Sequence, residues 1–170
     1  MGYVVKTPVI QVVGYQNSGK TLFAEKMIEQ ASSHGIKVGV IKHHGHGRPD
    51  VYDEKKDTGR HRNAGAVVTG VSGGGMVSIH ATQGSEWELE QLIRLYDSFD
   101  LDLILVEGFK EESYPKIVLV RNKDDLHLLN KNHIIGTIMK EAPDVSVDNS
   151  YLYDQMNDCI EDVLKDVRGG

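Results

Sequence analysis

The chain has 170 residues and a formal net charge of −6, with 25 acidic against 19 basic residues. That length suits a single domain with a sizeable core, and the acidic balance argues against nucleic acid as the main partner. The single cysteine, Cys159, excludes an internal disulfide, and no apolar run approaches the ~20 residues of a membrane-spanning helix.

The N-terminus runs straight into a strand with no signal-peptide pattern, so a cytoplasmic protein, one nucleotide-binding domain over residues 1–170, is expected. Val9-Ile10-Gln11-Val12-Val13 reads as a buried strand. Gly14-Tyr15-Gln16-Asn17-Ser18-Gly19-Lys20-Thr21 follows it, a complete phosphate-binding loop of the pattern G-x-x-x-x-G-K-[ST]. From Thr21 to Ser33 the spacing predicts a helix with Leu22, Phe23, Met27, Ile28 and Ala31 on or near one face, stopped by His34-Gly35. Val38–Lys42 is the next strand, and strand, helix, strand in that order predicts parallel strands with a right-handed crossover.

From His43 to Arg62 the chain is polar and reads as a loop with a short helix around Thr58–Ala64. Ala66–Val71 and Met76–His80, joined by Ser72-Gly73-Gly74-Gly75, fit a hairpin. Ser85-Glu86-Trp87-Glu88 has the form of a capping box and predicts a helix to about Tyr96, with Trp87, Leu89, Leu92, Ile93 and Tyr96 toward the core. Leu101–Glu107, Ile117–Arg121 and Ile134–Met139 read as strands. The last helix is expected over Tyr151–Val167, with Met156, Ile160, Val163, Leu164 and Val167 at helical spacing and Cys159 as a small buried hydrophobe. Strands alternating with helices predict an α/β fold of three layers, a mostly parallel sheet covered by helices on both faces. The phosphate loop then lies at the carboxyl end of the first strand, where such sheets bind ligands.

A glycine turn that opens a helix aims several backbone N–H groups at one spot, and the helix N-terminus adds partial positive charge. Gly14, Gln16, Asn17, Ser18, Gly19, Lys20, Thr21 and Leu22 are therefore candidate nucleotide contacts. Lys20 is placed to reach the β- and γ-phosphates, and the Thr21 hydroxyl to ligate Mg²⁺. Glu107 ends the apolar run Leu103-Ile104-Leu105-Val106, where a phosphate-loop protein holds its Mg²⁺, and Gly108 is a candidate N–H donor to the γ-phosphate. Asn122-Lys123-Asp124-Asp125 follows a strand and matches N-K-x-D. Asp125 accepting from a guanine edge, with Asn122 on N7, would select guanine over adenine; the alternative is a solvated turn.

Lys42 and His43 close the second strand near the expected nucleotide, followed by His44 and His46. Polar contact to substrate or phosphate, a solvated loop and a transition-metal site are the alternatives for these histidines. Asp57 is a candidate to touch Mg²⁺ or position water. Arg60 and Arg62 are candidates to meet phosphates, on this chain or across a dimer, and a solvated cluster of ion pairs fits equally well. Lys20 and Asp57 are thus the catalytic candidates. Nothing in the sequence is an obvious strong general base, which predicts slow turnover.

Four segments, Gly-Tyr-Gln-Asn-Ser-Gly-Lys-Thr at 14–21, Lys-His-His-Gly-His-Gly at 42–47, Asp-Thr-Gly-Arg-His-Arg-Asn-Ala-Gly-Ala at 57–66 and Leu-Val-Glu-Gly-Phe-Lys at 105–110, together resemble the MobB family. These are accessory proteins of molybdopterin-guanine dinucleotide biosynthesis. The resemblance runs from about residue 9 to 121. It implies a P-loop NTPase fold of the class that includes nickel-loading and signal-recognition GTPases. It implies GTP with Mg²⁺, weak intrinsic hydrolysis and a homodimer. It also implies a role beside the guanylyltransferase that joins GMP to molybdopterin, with molybdopterin itself a candidate partner. By the resemblance, Gly14, Gly19, Lys20 and Thr21 take the phosphate-loop roles and Glu107 the acidic strand-end role. The same loop also fits a small-molecule kinase with Arg60 and Arg62 in a lid, or a metallochaperone GTPase using the histidines.

Overall fold

The computed structural model describes residues 6–44, 57–142 and 146–169. In chain order the elements are β1 (Val9–Val13), α1 (Lys20–Ser33), β2 (Val38–Lys42), α2 (Asp57–Asn63), β3 (Val68–Gly73), β4 (Met76–Ala81), α3 (Leu89–Tyr96), β5 (Leu103–Glu107), β6 (Lys116–Val120), β7 (Ile134–Met139), β8 (Ser150–Leu152) and α4 (Met156–Gly169). Two 3₁₀ segments, Lys123–Asn130 and Tyr153–Gln155, complete the set. The chain divides into two compact units: one runs up to His43 and resumes at Leu89, and the other is His44 to Glu88.

The first unit is built on a six-stranded sheet in the order β2-β5-β1-β6-β7-β8, every neighbouring pair parallel. β1 and β2 run parallel as the βαβ pattern predicts, but β5 lies between them. All five residues are buried in each of β1, β5 and β6, because both faces of the sheet are covered. Alternate side chains go to opposite layers. Ile10, Val12, Leu103, Leu105, Ile117, Leu119 and Ile138 pack with Phe23, Met27 and Ala31 of α1 and Ile160 and Leu164 of α4. On the other face, Val9, Ile41, Ile104 and Val106 pack with Leu89 and Ile93 of α3. Beside them, Val13, Val118, Val120 and Met139 pack on Leu128 of the first 3₁₀ segment. The result is the expected three-layer P-loop NTPase architecture. Among the described residues no helix is long and apolar enough to cross a membrane.

The structure departs from the sequence expectations locally. Leu22, expected on the core face of α1, is 45% exposed. The Ser85–Glu88 box opens no helix, and α3 begins at Leu89. Leu89 and Ile93 are the buried residues of α3, so core burial sets its start rather than the cap. The expected helix from Tyr151 begins instead at Met156. Ser150–Leu152 pairs as an edge strand with β7, where Tyr151 hydrogen-bonds Asp162 at 2.9 Å.

Cys159 is fully buried in the α4 layer, and desolvation pushes its thiol up to about 12. A thiol reagent at pH 8 is therefore expected to label the native protein at least ~1,000-fold more slowly than the unfolded chain. Rapid native labelling would show that the α4 layer opens readily.

The second unit is an antiparallel hairpin of β3 and β4 beside α2. Gly74 and Gly75 bridge the strands with φ of 58° and 81°, the left-handed pair that a two-residue hairpin turn demands. Arg62 of α2 donates to Thr69 of β3 at 3.3 Å. Val67, Val68, Val71, Met76, Val77 and Ile79 are each more than half exposed.

Candidate functional site

The loop Gly14–Thr21 leaves the carboxyl end of β1 and enters α1, closed by Ser18 N donating to Tyr15 O at 3.2 Å. Two of its residues are left-handed, Asn17 at φ 61° and Gly19 at φ 87°. The two motif glycines are required by space. A Cβ on Gly14 would lie 2.5 Å from Ser18 Oγ and 3.0 Å from Leu119 O, and one on Gly19 would run into the Tyr153 hydroxyl. Gln16 and Asn17 are exposed at the tip, and Ser18 is buried with its Oγ unpartnered among the described residues. Lys20 reaches back across the loop, its Nζ donating to Tyr15 O at 2.7 Å. Burial holds the Lys20 ammonium below the ordinary lysine value; Glu107 opposes this, while the charges of Lys42 and Arg121 add to it. Three cations converging on a glycine turn at a helix N-terminus form a cradle that favours a polyanion.

The sheet register brings the acid to this cradle. Glu107 pairs with Val12 of β1 on one side and with Lys42 of β2 on the other. Thr21 Oγ1 donates to Glu107 Oε1 at 3.3 Å. Lys42 Nζ sits 3.2 Å from Glu107 Oε2 and 3.5 Å from Thr21 Oγ1. A hydroxyl and a carboxylate side by side are a hard oxygen donor pair, and the ammonium beside them marks a point where positive charge is favourable. These residues fit Mg²⁺.

The turn after Glu107 is backed by a residue that the sequence did not single out. Gln11, fully buried in β1, donates from Nε2 to Gly108 O at 3.2 Å and Phe109 O at 2.8 Å. The signal was present, a lone amide inside an apolar strand. Gly108 and Phe109 both have positive φ, 105° and 51°, so the amide secures a tight turn. The Gly108 N–H, expected to face the γ-phosphate, is instead donated to Val12 O at 3.1 Å, because the parallel β1–β5 ladder continues through it. His43 joins this turn: its N–H donates to Glu107 O at 2.9 Å, and its ring packs on Phe109 with centroids 4.6 Å apart.

Asn122 and Asp125 are engaged within the chain. Asn122 caps the 3₁₀ segment by accepting from Asp124 N at 3.1 Å, and Asp125 is 1% exposed against Arg121. The Arg121 guanidinium holds the Asp125 carboxyl below the usual carboxylate range. Arg121 and Tyr153, both touching the loop, also went unmarked in the sequence. Asp57 and Arg60 belong to α2 in the second unit, exposed and paired at 3.9 Å. His44, exposed, opens that unit, and His46 lies outside the described residues.

Comparison with known proteins places the chain in a family. The family model for molybdopterin guanine dinucleotide synthesis protein B, MobB, matches residues 9–140. The chain is similar to a probable molybdopterin-guanine dinucleotide biosynthesis adapter protein of Bacillus subtilis (strain 168), 45% identical over 83% of this chain and 81% of the relative. An adapter protein of Haemophilus influenzae with the same pathway in its name is 36% identical over 68% of this chain and 65% of its own length. Among solved structures, that of Bacillus subtilis MobB superposes with a TM-score of 0.82 at 38% identity, covering 96% of this chain and 99% of that one. With the family model matching residues 9–140 and the fold shared with a solved member, the chain belongs to the MobB family.

Proposed function

We propose that this chain is a GTP-binding, weakly hydrolysing accessory protein in molybdopterin guanine dinucleotide synthesis, acting in the cytoplasm beside the guanylyltransferase. The observation that carries the nucleotide reading is the meeting of Lys20, Thr21, Glu107 and Lys42 at the mouth of a glycine cradle. The pathway reading draws its support from the relatives, which are named as adapters of that biosynthesis. Lys20 and the loop amides would bind the phosphates, and Thr21 and Glu107 would hold Mg²⁺, which supplies further neutralisation of phosphate charge. Catalysis by positioning and charge alone would make turnover slow. A homodimer is supported by the hairpin of the second unit, whose exposed apolar side chains a second copy would cover.

Calorimetric titration with GTP, GDP and ATP in Mg²⁺, alongside steady-state phosphate release, tests this reading. Guanine-selective binding with slow release is expected. Selective ATP binding, or fast turnover dependent on a small acceptor, would overturn it in favour of a kinase.

A further inference from the structure

Two side chains from opposite walls grip the phosphate loop by its carbonyls. On one side, Arg121 NH1 donates to Gln16 O at 3.0 Å, and the guanidinium lies 5.4 Å from the Tyr15 ring centroid. On the other, the Tyr153 hydroxyl donates to Ser18 O directly beside Gly19. No peptide in the described chain is cis. In a trans peptide the C=O and the following N–H point in opposite directions. Tying the Gln16 carbonyl outward therefore turns the Asn17 N–H inward, and tying the Ser18 carbonyl does the same for the Gly19 N–H. These grips decide which amides converge on a phosphate.

Asp125 sets the first grip. It accepts from Arg121 Nε at 2.7 Å, from NH2 at 2.9 Å and from the Arg121 backbone N at 3.1 Å. The fork occupies both carboxylate oxygens, the same two that a guanine edge would need. A second link runs from the same segment: the Tyr15 hydroxyl meets His127 Nε2 at 2.8 Å, and His127 Nδ1 meets Asp124 O at 2.6 Å. The topology agrees. β6 is the immediate neighbour of β1, with Val13 opposite Val118, so the turn after β6 stands against the loop itself.

We infer that Arg121, held by Asp125, and Tyr153 are positioning residues that preset the phosphate loop, and that the Asn122–Asp125 turn serves this brace rather than reading a base. This rests on the nucleotide reading above. The test is calorimetry with GTP, ATP and inorganic triphosphate, each with Mg²⁺, on wild type, Arg121→Gln, Asp125→Asn, the double variant and Tyr153→Phe, with melting temperatures for each.

Arg121→Gln is expected to weaken all three ligands alike by on the order of 10- to 100-fold, and Tyr153→Phe by roughly 5-fold. The GTP to ATP affinity ratio stays at the wild-type value throughout. The double variant is no weaker than Arg121→Gln alone, because Asp125 acts through Arg121. Loss of GTP affinity in Asp125→Asn with inorganic triphosphate untouched would make Asp125 a base reader and overturn the brace. So would a fall in melting temperature with ligand affinities unchanged. Tyr153→Phe keeps its ring and reports on the brace even where the ion-pair variants fail to fold. Wild-type protein that binds none of the three ligands overturns the nucleotide reading and the brace together, whereas wild-type binding with unaffected variants overturns the brace alone.

Discussion

Lys20→Ala is expected to lower affinity for GTP·Mg²⁺ by on the order of 100-fold, the equivalent of one strong charge-assisted contact of about 2–3 kcal/mol. The Lys20 ammonium is half-buried at the start of α1, spends a hydrogen bond on Tyr15 O, and stands among Lys42 and Arg121. Like charges held together in partial burial are an unfavourable arrangement that a triphosphate relieves. Alanine removes the charge and the reach but leaves the backbone amides, so weak residual binding remains. The fold should not suffer, because Lys20 lies outside the three packed clusters. Calorimetry on the variant, with a melting curve to confirm folding, is the measurement. Unchanged GTP affinity would remove the loop from the nucleotide site.

The largest effect on stability is expected in β6, where Lys116 stands in register with Gln11 of β1. Lys116 opens β6 and is 1% exposed, an unusual position for an ammonium. Its three N–H bonds go to Glu112 O at 2.8 Å, Tyr114 O at 3.0 Å and Asn132 O at 2.9 Å. The side chain thereby ties the turn before β6 to the turn before β7, much as a bound cation would. Burial lowers its pKa, which is the electrostatic cost of this device. Lys116→Met keeps the length and loses the donors, leaving three carbonyls short of a partner. A loss of about 3–5 kcal/mol is expected, a large share of the stability of an ordinary domain. A urea denaturation series would show it as a lower midpoint with an unchanged slope. The folded fraction is expected still to bind GTP, since the ammonium's partners, Glu112, Tyr114 and Asn132, include no residue of the phosphate loop. A neutral substitution would mean that water satisfies those carbonyls equally well.

The parts of the site that rest on neighbours in the chain are legible in the amino-acid sequence alone. The spacing of Gly14, Gly19, Lys20 and Thr21 encodes a turn and a helix start within eight residues. Glu107 is marked by ending an apolar run, and its meeting with Thr21 follows from the place of its strand in the sheet. Gly74 and Gly75 announce the hairpin through the conformations only glycine adopts freely. In each case the signal is a backbone preference or a periodicity, and both are local properties.

Pairing between distant segments carries no such mark. The order β2-β5-β1-β6-β7-β8 puts β5 between two strands joined by one helix, and it is set by which apolar faces bury best together. Tyr153 reaches a carbonyl 135 positions away, and Gln11 one that is 97 positions away. N-K-x-D reads the same whether its acid faces a base or a guanidinium, and the packing of the Lys123–Asn130 segment beside β6 gave Asp125 to Arg121. Composition and spacing therefore named the chemistry, because phosphate binding is written in the geometry of a short loop. Which side chains hold that loop in shape was decided by tertiary packing, because a hydrogen bond across the fold depends on positions that exist only once the layers have closed.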